Sequence, residues 1–251
     1  MRKWLLPVLL FGGVLPLQAQ IQRTYQYGVV PTENITTLEA NPTLTVIDDS
    51  VGISVSQLTL KTYRVVDESY NWGVEVPLSR YESPAKSVSG LGDALIGGTW
   101  VHPERTAGGF GYGAKMEVFL PTATDRLLGT GTLQASPSVF GLWAMTENFF
   151  MAVGYKHYVS LLKDHARDSI DMGRIRFNAA YTSEDRWWVL TNIYYYMDYK
   201  NGGRQELEPE LEAGTLINEG TAVYMKASTH AAGNWHSKDW SAGVGFKVLY
   251  L

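Results

Sequence analysis

The 251-residue chain contains no cysteine, which removes a lipoprotein anchor, a disulfide framework, a thiolate metal site and a cysteine nucleophile together. Beyond residue 19 it has no apolar stretch long enough for a membrane-spanning helix, which needs roughly 20 residues. It also lacks any sustained i, i+3, i+4, i+7 apolar stripe, so surface helices are not expected. Charged residues are only 18% of the chain, acids outnumber bases, and no basic run occurs, which argues against nucleic acid as a partner.

What is present begins with a leader. Met1-Arg2-Lys3 is a basic start, Trp4 to Leu17 an apolar run, and Leu17-Gln18-Ala19 a small-residue exit, the pattern of a Sec signal peptide over residues 1–19. Its loss takes the formal net charge from −4 to −6. An exported chain without disulfides must be held together by other means. Gly 25, Tyr 15 and Trp 8, spread over many short segments, point to strands in a membrane.

Period-2 alternation runs through the rest of the chain. From residue 110 to 120, Phe110, Tyr112, Ala114, Met116, Val118 and Leu120 alternate with Gly111, Gly113, Lys115, Glu117 and Phe119. The same pattern returns in segments beginning near residues 72, 133, 149, 174, 187, 207, 223 and 240. Short connections near 67–69, 103–108, 147–148, 183–186 and 218–220 take turns with longer polar ones near 82–90, 122–130, 163–170, 200–206 and 231–238. An outer-membrane barrel sorts its loops in this way, with short periplasmic turns and longer extracellular loops. Eleven segments are legible from residue 51 onward, and parity asks for one more, placed at Leu38 to Ile47. The expected fold is therefore all-β: an antiparallel transmembrane β-barrel of about 12 strands (10–12), bacterial outer-membrane type, over residues 38–251. Residues 20–37 read as a periplasmic extension or partial plug. One irregularity stands out, because the apolar parity switches between Val51, Ile53, Val55 and Leu58, Leu60, which predicts a bulge or a displaced strand boundary.

An open sheet edge is not tolerated in hydrocarbon, so the sheet must close, one face on lipid and one on a lumen. Lys or Arg on the lipid face near the midplane costs about 2–4 kcal/mol, which assigns the charged parity to the lumen. The candidate lumen-lining residues are Glu75, Lys115, Glu117, Lys156, Arg174, Arg176, Asp198, Glu208, Glu210, Glu212, Lys226 and Lys247, six acids and six bases. They are expected either to neutralise one another in a narrow interior, or to set the Glu208, Glu210, Glu212 ladder opposite Arg174 and Arg176 as a field that selects polar solutes. Tyr112, Tyr155, Tyr181, Trp187, Trp240 and Tyr250 are candidates for the aromatic girdles at the membrane interfaces, as are Tyr25 and Tyr199.

No catalytic residue, metal site or cofactor is expected. Residues two positions beyond His102, His157, His165, His230 and His236 are Glu104, Val159, Arg167, Ala232 and Lys238, so the His-x-Ser pattern of barrel lipid hydrolases is missing. Asp48-Asp49 with His230 or His236 is a remote match to a rim protease. Asp164, His165, Asp168 and Asp171 could hold a divalent cation but lack EF-hand spacing, and a solvated loop accounts for them.

The stretches "SGLGDALIGGTW" (89–100) and "EVFLPTATDRLLGTGTLQASPSV" (117–139), followed by "FFMAVGYKHY" (149–158), resemble the outer-membrane transporter family named for the meta-cleavage pathway of phenol degradation. The matching elements are Gly90 to Asp93, Leu120 to Thr122 and Leu128 to Gly131. The resemblance implies an outer-membrane barrel that passes solutes, aromatic or hydrophobic compounds among them, and carries over no catalytic residues. Two departures are the final Leu251, which displaces the usual C-terminal aromatic to Tyr250, and a luminal face more charged than an apolar route favours. The expected function is a channel or transporter for small solutes, the alternatives being a closed structural or surface-interaction barrel and an outer-membrane lipid hydrolase. Expected partners are outer-membrane lipid, lipopolysaccharide and the barrel-assembly machinery.

Overall fold

The computed structural model describes residues 35–102, 109–163, 167–183 and 186–250. The strands are β1 (Thr36–Asp48), β2 (Ile53–Val65), β3 (Tyr70–Glu82), β4 (Ser87–Leu91), β5 (Ala94–His102), β6 (Phe110–Leu120) and β7 (Thr132–Ala144). They continue with β8 (Phe149–Lys163), β9 (Asp171–Thr182), β10 (Trp187–Asp198), β11 (Arg204–Asn218), β12 (Thr221–Thr229), β13 (Ala232–Gly233) and β14 (Trp240–Tyr250). Twelve of them close into one antiparallel barrel, with β14 returning to β1 through pairs that run from Thr36 with Tyr250 to Val46 with Trp240. The two short strands are additions at one end: β4 extends the wall beside β3, and β13 pairs with β11.

Closure satisfies every wall strand on both sides, which removes the sheet edges. The first and last strand residues, Thr36 and Tyr250, lie at the end that carries the short turns, and the longer connections gather at the other. The 199–203 connection is tighter than expected for 200–206, because β11 already starts at Arg204 and pairs with Asp198. The expected bulge lies elsewhere too. The β2–β3 register is unbroken from Ser54 to Val65, and the extra residue is on β1 between Val46 and Asp48. The parity switch arises because Val55 faces inward near the rim, where the interior no longer needs charge.

The outer face is a continuous apolar band that includes Leu38, Leu60, Leu78, Ile96, Met116, Val139, Phe177, Ile193, Leu211, Met225 and Val244, all exposed. On this face Arg64 and Arg80 lie toward the strand ends, Arg80 paired with Glu82 at 2.6 Å. No helix among the described residues is long and apolar enough to cross a membrane, which says nothing against crossing by strands.

Inside, bulky rings are accommodated by glycines directly across the ladder. Trp188 pairs with Gly214 and Tyr224 with Gly245, and a β-carbon at either glycine would overlap the facing ring. The ring of one strand thus covers the bare backbone of the next.

Candidate functional site

The interior divides into three zones along the barrel axis. At the short-turn end, Leu142, Phe150, Ala152, Ala180, Trp188, Leu190, Ala222 and Tyr224 form one apolar cluster. Trp188 and Leu142 are 0% exposed, covered by their neighbours in the cluster. The Trp188 indole N–H donates to Glu212 Oε1 at 3.0 Å, which satisfies the one polar atom that the ring brings in.

The middle zone is ionic. Glu39 pairs with Lys61 at 3.4 Å and accepts from the Tyr224 hydroxyl at 2.5 Å, while Asn41 Nδ2 donates to the same hydroxyl at 2.7 Å. Glu117 is shared by Lys115, at 2.6 Å, and Lys156. The Tyr63 hydroxyl donates to Glu75 and accepts from Lys115 Nζ at 3.5 Å. Arg176 Nε donates to Asn192 Oδ1 at 2.9 Å, and Asn192 Nδ2 passes the link on to Glu210 at 2.8 Å, where Tyr194 also donates. Between these networks lies a cavity of about 310 Å³ whose charged lining is Lys115, Glu117, Lys156, Arg174 and Arg176.

At the long-loop end, the segment between β12 and β14 folds over the mouth. Lys238 Nζ donates to Glu208 at 2.7 Å, and His230 Nδ1 meets the buried Glu206 at 3.1 Å. The His230 and His236 rings lie 4.2 Å apart, and His236 Nε2 meets Asp239 at 2.6 Å. Asp239 also accepts the backbone N–H of Asp49 at 2.6 Å. That hydrogen bond first, and His236 second, hold its carboxyl below the usual carboxylate range.

The structure turns Glu75, Lys115, Glu117, Lys156, Arg174, Arg176, Glu208, Glu210, Glu212, Lys226 and Lys247 to the inner face. Asp198 departs from the expectation. It ends β10, and its carboxylate accepts the backbone N–H groups of Lys200 and Asn201 at 3.0 and 3.1 Å, so it shapes a turn rather than the lumen. The glutamate ladder also departs, since it does not face the arginines across the lumen. β9 and β11 flank β10 in the same wall, and Arg176, Tyr194 and Glu208 are consecutive cross-strand partners. Sequence reasoning missed Glu39 and Lys61, which pair directly across β1 and β2. Each sits between residues of the outward parity, Leu38 and Ala40 or Leu60 and Thr62, so the alternation carried the signal.

The six girdle candidates lie on the outer face. Tyr112, Tyr181, Trp187 and Tyr250 ring the short-turn end, and Trp240 marks the other. Tyr155 joins His157, at 2.9 Å, on the outer wall, and His157 stacks with Tyr199 and meets Asp171 at 3.1 Å. Asp171 is thus taken up by a histidine on the outer wall, while Tyr25, Asp164 and His165 lie outside the described residues, as does most of the leader and extension over 1–37. Of the rim-protease candidates, Asp48 is a turn residue that accepts from Ser50 N–H at 3.0 Å.

The three motifs that carried the family resemblance meet in one joint at the long-loop rim. Asp93 accepts from Ala123 N–H at 3.2 Å and from the Thr130 backbone and hydroxyl at 2.6 and 2.8 Å. Thr122 Oγ1 accepts from Ala94 N–H at 2.8 Å and donates to Gly92 O at 3.0 Å. A β-carbon on Gly129 would overlap the Asp93 carboxylate and Ala123, so the motif needs glycine there for close approach.

No protein-family model and no curated protein matches the sequence. Solved structures do match in fold. The COG4313 outer membrane channel from Pseudomonas putida F1 superposes with a TM-score of 0.71 at 9% identity, over 87% of this chain and 96% of that one. The NanC porin gives 0.59 and the KdgM porin 0.58, each at 9% identity over 86% of this chain and 99% of theirs. The chain therefore has the fold of the outer-membrane channel and porin barrels.

Proposed function

We propose that the protein is a narrow outer-membrane channel that admits small polar solutes by passive diffusion, with its long loops outside the cell. The observation that supports this most is the charged cavity of about 310 Å³ inside a wall whose outer face is apolar. Twelve strands enclose more than the packed core of an eight-stranded barrel and less than an open porin channel. Four cationic groups line the cavity, so the aromatic or hydrophobic cargo implied by the motif resemblance is a weaker reading than a polar one. Outer-membrane lipid and lipopolysaccharide suit the apolar band and its aromatic ends, and the barrel-assembly machinery would receive the exported chain.

One observation favours the second reading, a barrel with a closed lumen: the buried Trp188 cluster at the short-turn end. Conductance in planar bilayers decides between the two. The channel reading expects small, reproducible current steps and swelling of proteoliposomes in small polar solutes. Neither current nor swelling from a folded, heat-modifiable barrel would leave the closed reading standing.

A further inference from the structure

The geometry points to a binding site for a small hydroxylated organic anion, a hydroxycarboxylate, on Arg174, Arg176 and Asn178 of β9. It rests on the channel reading for the passage of the solute beyond the site, since the three residues share the inward parity of β9.

Charge balance carries the first half. Lys115 and Lys156 share the single carboxylate that lines the cavity, Glu117. Arg174 and Arg176, on the same cavity, have no ion pair with any described carboxylate. Arg176 is held by the neutral Asn192, and Arg174 lies between the rings of Tyr194, at 5.1 Å, and Tyr158, at 5.7 Å. Tyrosine faces temper a guanidinium but do not neutralise it. In the lining itself one carboxylate faces four cations, while Glu75 and Glu210 stand behind Tyr63, Asn192 and Tyr194, so an anion from solution would be the group that meets the two guanidinium faces directly.

Hydrogen bonding carries the second half. Arg174 Nε, a donor, and Asn178 Oδ1, an acceptor, are both buried and have no hydrogen-bond partner. Asn178 follows Arg176 and Arg174 on the inward parity of β9, and all three line the cavity. Guanidinium groups recognise carboxylates through planar paired hydrogen bonds, and the amide oxygen calls for a donor on the same ligand, which a hydroxyl supplies. A cavity of about 310 Å³ is at the small end of ligand sites, suited to a molecule of a few carbons.

The test is calorimetric titration of the folded full-length mature barrel in detergent with gluconate, sorbitol and acetate, alongside bilayer conductance of the same preparation. Gluconate is expected to bind, and sorbitol, which has the hydroxyls without the charge, is not. Arg176→Gln and Arg174→Lys should each weaken gluconate at least tenfold while heat-modifiability persists. Asn178→Ala should shrink the preference for gluconate over acetate. Equal binding of sorbitol, or gluconate affinity unchanged in both arginine variants, overturns the site. Current without gluconate binding overturns the site and leaves the channel; binding without current leaves the site and overturns the channel.

Discussion

Replacing Glu117 by Gln is the most direct probe of the interior, because one carboxylate there holds two ammonium groups. Lys115 Nζ lies 2.6 Å from it and Lys156 bonds its other oxygen, with side-chain exposures of 22% and 12% for the lysines and 6% for the glutamate. The amide keeps the shape and removes the charge, so Lys115 and Lys156 are left facing each other with Arg174 on the same cavity. Breaking a buried pair by removing one partner costs about 3–5 kcal/mol, and the partial exposure of the lysines puts this case near the lower bound, about 3 kcal/mol. With a urea dependence of about 2–3 kcal/mol per molar, the unfolding midpoint should fall by about 1–1.5 M. The assay is tryptophan fluorescence of the barrel in lipid vesicles against urea. The double variant Glu117→Gln with Lys156→Met should recover about half of the loss, since it removes one of the stranded charges. A midpoint within about 0.2 M of the wild type in the single variant would refute the reasoning, for it would mean that water already screens the cluster.

The short-turn end, the rim joint and the mouth give three further predictions. Trp188→Ala should raise single-channel conductance by opening the short-turn end and cost about 3–5 kcal/mol of stability as a large-to-small change; unchanged conductance in a folded variant places the constriction elsewhere. Asp93→Ala removes three hydrogen bonds to the 121–131 loop and should lower stability by about 2 kcal/mol, with new protease cleavage inside that loop; a loop as resistant as before would show that the joint does not depend on the carboxylate. The Asp239 latch should depend on pH. Its carboxyl is held low in the folded state, so its contribution is full above the ordinary carboxylate range and is lost as pH falls through the lowered value. The protection factor of the Asp49 amide, with the intrinsic pH dependence of exchange divided out, should therefore fall on acidification in the wild type and be low at all pH values in Asp239→Ala; an identical protection profile in the two proteins counts against the latch.

Particular residues show how far the sequence could be read. Lys115 and Glu117 alternate with Tyr112, Met116 and Val118, and that local period of two was enough to put them on one face and the apolar residues on the other. Asp198 shares the inward parity of Tyr194 and Tyr196, yet its carboxylate closes a turn, because a strand's last residue can serve its own backbone. The Gly90 to Asp93, Leu120 to Thr122 and Leu128 to Gly131 motifs were visible as punctuation, but that they build one joint around Asp93 was not. Trp187 and Trp188 are adjacent and chemically alike; the alternation they share with Asn192 and Tyr194 turns one outward and the other inward, and only the closed wall shows that Trp188 joins an interior cluster.

By itself the sequence determined a closed antiparallel wall of ten to twelve strands, the alternation of short and long connections, and the inner face of eleven of its twelve charged candidates. These follow from the period of the pleat and from the cost of charge and open edges in hydrocarbon, which act residue by residue. Tertiary structure alone decided which cation meets which carboxylate. That depends on which strands adjoin and on their register, so the glutamates of β11 are engaged by Lys238, Asn192 and Trp188 while Arg174 and Arg176 face the cavity with no carboxylate of their own. It also decided that the inward apolar residues of five strands meet in one buried cluster, because only closure brings them together.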